Sequence, residues 1–385
     1  MVARRRRGLA VALAATLLVT LTAGSCRPQS SAQPEQTPGD DVSYEDVGPA
    51  PNSSDDPKDR QNVVNAPKGT AARGVEFADA NTGYALFSSC ASGRSCDVGL
   101  VFTLDAGASW VARPLPFDDA TDVDMRLGRG NVLIIKAAPA GYFISKDSGR
   151  TFDKRPITPP PVELALADPQ YSVGCQNPVD TGCGDPQPWI TGDDGARRPL
   201  PTRPAGKHDY SGLAAAADGT LWLSAVADDP AAPGRTAVTV WSSPDGGKTW
   251  KAQGVARAPD QRKEVRPVVS PDGTDIWLVG PHYAARRVPS ATDGWQEATA
   301  MREVNEVFSA EVLPGGVLLV ASSSGVLMLD LTQRLKDPGA ATAFRLRRIA
   351  PDTIVGYPAQ AGGEIWLCTV KQKVCDWSHI AVSAR

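Results

Sequence analysis

The sequence predicts an all-β fold, and three observations predict it. Its 385 residues include 36 Gly and 33 Pro, which implies many turns and few long helices. Hydrophobic residues make up 42% of the chain, ample for a core, and they fall in short runs opened by turn residues. A turn-rich cluster ending in an aromatic residue, such as SSPDGGKTW at 242–250, recurs at near-regular intervals.

The N-terminus stands outside that fold. Arg4 to Arg7 form a basic region, Leu9 to Leu21 an apolar one, and small residues lead to Cys26. Residues 1–25 therefore read as an export signal whose apolar stretch is short for a membrane span. The sequence AGSC (Ala23 to Cys26) resembles the lipobox of bacterial lipoproteins. That resemblance implies a lipid on Cys26 and a location at the outer face of a bacterial cytoplasmic membrane. Ala23 departs from the Leu preferred there, and plain secretion with Cys26 free or paired is the alternative. Removing residues 1–25 takes away four arginines and no acids, leaving 36 basic against 43 acidic side chains, a net of −7. This balance argues against nucleic acid as a partner and against an anionic-membrane surface, leaving the lipid as the only membrane contact. Residues 26–68 are rich in Pro, Ser, Gln, Asp and Glu and poor in large apolar residues, the composition of a disordered N-terminal tether. The folded domain proper is expected over 69–385.

Six further cysteines fall into three close pairs: Cys90 with Cys96, Cys175 with Cys183, and Cys368 with Cys375. Local pairing is the simplest of the fifteen connectivities, and it implies an oxidising destination. Zinc would require a different spacing, and His208, His282 and His379 show no ligand pattern. No metal and no cofactor are expected.

The repeats carry the architecture. Ser243, Asp245, Gly247 and Trp250 have the form SxDxGxTW; Ser145, Asp147, Gly149 and Phe152 repeat it, and Thr103, Asp105, Gly107 and Trp110 vary it. Weaker echoes contain Thr191, Asp193 and Gly195, and then Asp293, Gly294 and Trp295. Starts at 103, 145, 191, 243 and 290 give a period suited to one four-stranded propeller blade per repeat. Apolar runs such as GTLWLSAV, GGVLLVAS and VELALA (from Val162) supply seven candidate strands. A seven-bladed β-propeller follows, with six and eight blades as alternatives. The last blade is expected to hold about three strands, with NVVN (62–65) as its closing outer strand, because a ring must cover its open edge.

These motifs resemble the BNR, or Asp-box, repeat of the sialidase-like propellers. The resemblance implies that the Asp residues are structural and lie away from any active site. Glycines at turns take positive φ at no steric cost, Asp carboxylates accept turn amides, and the aromatics pack between blades. All three cysteine pairs are expected at second-to-third strand connections, on the face opposite the Asp-boxes, and that face is the expected recognition surface.

Sialidases of the family use an arginine cluster, a Tyr–Glu pair and an Asp. The expected RIP-like motif is replaced here by ARGVEFADANTG, and nothing in the sequence groups Tyr142, Tyr171, Tyr210, Tyr283 or Tyr357 with a Glu and three Arg. Arg286 and Arg287, or Arg345, Arg347 and Arg348, read as solvated rim charges. No catalytic residues are assigned. The expected function is a non-enzymatic envelope scaffold binding a protein, peptide or glycan ligand; the alternative is a divergent glycoside hydrolase.

Overall fold

The computed structural model of the protein describes residues 59–90, 95–175, 185–259, 264–291, 293–335, 343–371 and 373–385. All lie within one compact unit, Asp46–Arg385. The expected signal, Cys26, the tether up to residue 58, and Cys183 lie outside the described residues.

Strands among the described residues form seven small sheets in chain order. The first contains Ala71–Phe77, Gly83–Ser89, Asp97–Thr103 and Val111–Arg113; the second Ala120–Leu127, Leu133–Pro139, Gly141–Ser145 and Asp153–Arg155. The third holds only Tyr171–Cys175, Pro186–Thr191 and Arg197–Pro199. The fourth comprises Asp209–Ala215, Leu221–Asp228, Arg235–Ser243 and Lys251–Pro259, and the fifth Arg266–Val269, Ile276–Gly280, Tyr283–Arg287 and Trp295–Glu297. The sixth has Ser309–Leu313, Val317–Ser322 and Gly325–Leu329. The seventh has Arg345–Ala350, Thr353–Tyr357, Glu364–Lys371 and Val374–Ala384. Neighbouring sheets meet largely through their first strands, and the last two strands of the seventh sheet meet Ala71–Phe77 of the first. The chain is therefore a β-propeller whose sheets close on themselves.

Apolar clusters fill the joints between sheets. Phe77, Phe87, Val355 and Ile380 join the seventh to the first; Leu86, Leu100, Met125 and Phe143 join the first to the second. Trp277 and Leu318 belong to the cluster between the fifth and sixth. Among the described residues, no such cluster joins the second sheet to the third. The cause is visible in Ala120–Leu127, whose alternation buries Val123, Met125 and Leu127 against the first sheet and leaves Asp122, Asp124 and Arg126 exposed.

The third sheet also departs from expectation. VELALA forms a short helix, Val162–Ala165, rather than a strand. Three prolines precede it, and the last, Pro161, sits extended at the N-cap, so the chain enters a helical turn directly. Val162 and Ala165, one turn apart, both pack on Gly195. A strand would have pointed the two side chains to opposite faces.

Closure differs from expectation by one strand. Asp59–Val64 pairs in parallel with Val374–Ala384, in register from Asp59 opposite His379 to Val64 opposite Ala384. It adds a fifth strand to a sheet that already has four, and it starts earlier than residue 62. The unanticipated member is Arg345–Ala350, whose sequence RLRRIA carries three arginines and does not read as a buried strand. Asn62 and Arg60 donate to the Gly107 and Ala106 carbonyls of the first sheet at 3.1 and 2.5 Å. The closing strand thus touches both sides of the joint.

That extra strand also moves one disulfide. Cys90–Cys96 lies at a second-to-third strand connection, where the Cys96 amide donates to the Ala120 carbonyl at the start of the second sheet. Cys175, at the end of the third sheet's first described strand, is also disulfide-bonded. Cys368–Cys375 instead clips the hairpin between the third and fourth strands of the seventh sheet. The Val370 amide there donates to the Asp352 carbonyl, beside the turn joining the first two strands. Strand direction places that hairpin on the same face as the Asp-bearing turns, so the expectation of three cysteine pairs on one opposite face is corrected.

Candidate functional site

The Asp-bearing turns share one hydrogen-bond pattern. The Thr103 hydroxyl donates to Asp105 at 2.7 Å and accepts the Gly107 amide at 3.0 Å, while Asp105 accepts the Ser109 amide and hydroxyl at 2.9 and 2.6 Å. Ser145, Asp147, Gly149 and Thr151 repeat these bonds at 2.8, 2.8, 2.9 and 2.6 Å. Ser243, Asp245, Gly247 and Thr249 do so at 2.8, 2.8, 2.9 and 2.7 Å. Gly107, Gly149 and Gly247 hold φ of 81°, 77° and 88°, a region that strains any side chain. Each turn leans on the preceding sheet: Gly107 on Ile380, Gly149 on Leu100, Gly247 on Leu200. Trp110, Phe152 and Trp250 pack on the clusters at the same joints.

The weaker echoes behave differently. Asp194, rather than Asp193, accepts the Ala196 amide and pairs with Arg198. Asp293 pairs with Arg257. A related turn that sequence spacing did not reveal is Ser270–Asp272–Thr274, where Ser270 donates to Asp272 and accepts the Asp275 amide. It joins the first two strands of its sheet and so falls out of the period.

These bonds set the acid response of the turns. The Thr151 hydroxyl and amide hold the Asp147 carboxyl at about 2, and Thr249 likewise holds Asp245 below the usual range. Burial pushes Asp105 up, but bonds from Ser109 and Thr103 outweigh it and leave it lowered. A depressed carboxyl contributes stability above its unfolded value of about 3.9 and loses that contribution as pH falls through the folded value. Carboxyl-carbon NMR should therefore show Asp147 still ionised at pH 3; titration near 4 would rule out the bonded turn. Ser243 is fully buried, and Ser243→Ala strips a donor from Asp245 and an acceptor from the Gly247 amide. Urea unfolding should register a loss of about 1–3 kcal/mol.

At the joint of the seventh and first sheets the fold assembles residues that the sequence left unrelated. The Tyr357 hydroxyl donates to Glu76 at 2.9 Å, with Arg347 at 3.0 Å and Arg345 at 3.4 Å from the same carboxylate. Arg345 lies 4.4 Å over the Tyr357 ring. Arg348 turns the other way, to Glu311 at 3.3 Å. Burial pushes the Glu311 carboxyl up against the pull of Arg348. Arg286 pairs with Asp275, and Arg287 donates to Gln253 at 2.9 Å. The expected solvated rim is thus largely a set of paired guanidiniums, with Arg345 the most exposed of the arginines at Glu76 and Glu311.

A sialidase-like reaction would require the tyrosine to ionise. Here burial, and then the neighbouring Glu76 carboxylate, push the Tyr357 hydroxyl up, and only 6% of the residue is exposed. Glu76 already accepts from Arg345 and Tyr357 and lies within ion-pair distance of Arg347, which itself donates to the Phe77 carbonyl at 2.8 Å. The cluster ties the seventh sheet to the first through Tyr357, Arg345, Arg347 and Glu76.

The joint without an apolar cluster holds a cleft of about 650 Å³, lined by Asp124, Arg126, Ile134, Lys136, Tyr142 and Leu164 among others. Lys136 pairs with Asp122 at 2.9 Å, and Arg126 stands between Asp124 and Asp168 at 3.6 and 4.0 Å. Among the described residues no group of three or more His, Cys, Asp or Glu is arranged to hold a metal ion, and no helix is long and apolar enough to cross a membrane. The two described disulfides are the chemistry of an extracellular or periplasmic compartment.

No family model matches the chain, and no curated protein matches it. Among solved structures the chain is similar to YCF48 bound to a D1 peptide, at 17% identity over 83% of this chain and 97% of that one, with a TM-score of 0.41. It is also similar to YCF48 from Cyanidioschyzon merolae, at 11% identity over 80% and 97%, with a TM-score of 0.41. A third is the GH74 xyloglucanase from Xanthomonas campestris, at 14% identity over 80% and 66%, with a TM-score of 0.25.

Proposed function

We propose that the protein is an exported seven-bladed propeller of the BNR/Asp-box type. It is anchored by a lipid on Cys26 to the outer face of a bacterial cytoplasmic membrane and binds a protein, peptide or glycan without catalysis. Seven sheets in succession and three turns with one bonding pattern support the architecture. A structural role follows for the Asp-boxes, and Cys175 pairs with Cys183. The recognition surface is the face opposite the Asp-bearing turns, which carries the Cys90–Cys96 disulfide and the bonded Cys175; covalent closure there reduces the entropy lost on binding.

The observation that carries the binding reading is the state of Tyr357. Its hydroxyl is buried and shifted away from ionisation beside a carboxylate already engaged by two arginines. The test uses the full chain in detergent on peptide and glycan arrays, alongside a fluorogenic sialoside. Saturable binding without turnover is expected. Turnover that disappears in Tyr357→Phe would establish the hydrolase instead, and absence of any array ligand would remove the scaffold reading.

A further inference from the structure

The face opposite the Asp-bearing turns carries an uncommon row of side chains. Phe308 is 41% exposed, one of six large apolar residues left in solvent among the described residues, and its ring lies 4.9 Å from that of Phe344. Both residues immediately precede the first strands of their sheets, Ser309–Leu313 and Arg345–Ala350. The pair is held in place by Ser309, whose hydroxyl donates to the Phe344 carbonyl and accepts the Leu346 amide at 2.7 Å.

A guanidinium stands at each end. Arg266, at the start of the fifth sheet, donates to the Phe308 carbonyl at 3.0 Å, and no carboxylate among the described residues lies within ion-pair distance of it. Burial pulls this cation below its ordinary value against the pull of Glu264 two residues before it, and a further anion would relieve it. Arg345, next in sequence to Phe344, keeps 61% of its side chain exposed while touching Glu76 at 3.4 Å. A mature chain expected to carry a net of −7 thus presents aromatic surface between two arginines at this point.

We infer that Arg266, Phe308, Phe344 and Arg345 form a docking strip for an acidic peptide segment bearing an aromatic or large aliphatic side chain. The apolar side chain covers Phe308 and Phe344, and flanking carboxylates meet the two guanidiniums. Buried aromatic anchors supply affinity, while charge complementarity sets orientation and excludes basic partners. The inference rests on the reading of the chain as a recognition scaffold and adds the ligand class.

The probe is a fluorescein-labelled peptide alternating glutamate with phenylalanine, followed by fluorescence anisotropy with the full chain in detergent; a glutamine-for-glutamate peptide is the control. The acidic probe is expected to bind, to weaken as salt rises, and to lose roughly tenfold or more in affinity with Phe308→Ser and again with Arg345→Gln. Unchanged melting temperatures would show that both variants fold. Equal binding of the control peptide overturns the inference, as does a folded Phe308→Ser variant that binds the acidic probe undiminished. A heparin fragment that displaces the probe while Phe308→Ser has no effect would mean charge alone is recognised, and also overturns it. If arrays yield ligands but the acidic probe does not bind, the strip falls and the scaffold reading stands.

Discussion

Val64→Asp is expected to lower the unfolding free energy by about 4 kcal/mol, whereas Val63→Asp, one residue earlier, is expected to change it by less than about 0.5 kcal/mol. Val64 is 5% exposed and belongs to the apolar cluster between the seventh and first sheets; Val63, at 38%, faces solvent. The alternation follows from strand geometry, which sends adjacent side chains to opposite faces. A carboxylate at 64 must either drag charge into the cluster or detach Asp59–Val64 from its partner strand. Detachment would also release the Asn62 and Arg60 bonds that tie the strand to the first sheet. Urea-induced unfolding of the two variants measures the difference directly. Equal effects at 63 and 64 would mean that the strand does not close the ring as described.

The second large effect is expected at Gly316. Its φ is +77°, and a Cβ there would lie 2.0 Å from the Arg286 guanidinium carbon. That guanidinium cannot move freely, because it pairs with Asp275, which is 8% exposed. Gly316→Ala must therefore strain the turn and also leave a buried carboxylate unpaired, at about 3–5 kcal/mol. Gly315 provides the contrast. Its φ is +78°, but the obstructing group is the flexible end of Lys373, so Gly315→Ala should cost only the backbone term of about 1–2 kcal/mol. Thermal unfolding of the pair distinguishes them. Similar losses for both would show that the Arg286–Asp275 contact is not what makes Gly316 necessary.

The parts of the fold legible in sequence are those encoded locally. Asp105, Asp147 and Asp245 bond within four residues of themselves, so spacing alone exposes the turns. The parts that escaped are encoded at a distance or masked by charge. Arg345–Ala350 is a strand because Arg347 and Arg348 find Glu76 and Glu311, and those partners lie far away in the chain. With that strand present the parity of the last sheet changes by one, and Cys368–Cys375 falls at a third-to-fourth strand hairpin on the face of the Asp-bearing turns. Tyr357 and Glu76 are 281 residues apart, and nothing near either one announces the other. Phe308 and Phe344 likewise meet only because two sheets stand side by side. In VELALA the apolar run matches a strand, but the three prolines ahead of it lead the chain into a helical turn instead.

The parallel strand at the closing joint also has a mechanical side. Any pull that reaches the ring through its N-terminus arrives first at Asp59–Val64, and it acts along a six-residue register with Val374–Ala384. The bonds of that register share such a load in shear instead of peeling one at a time. The Arg385 amide, which donates to the Val64 carbonyl at 3.1 Å, brings the other end of the chain into the same fastening. Traction at the N-terminus and integrity of the ring are therefore borne by one and the same strand.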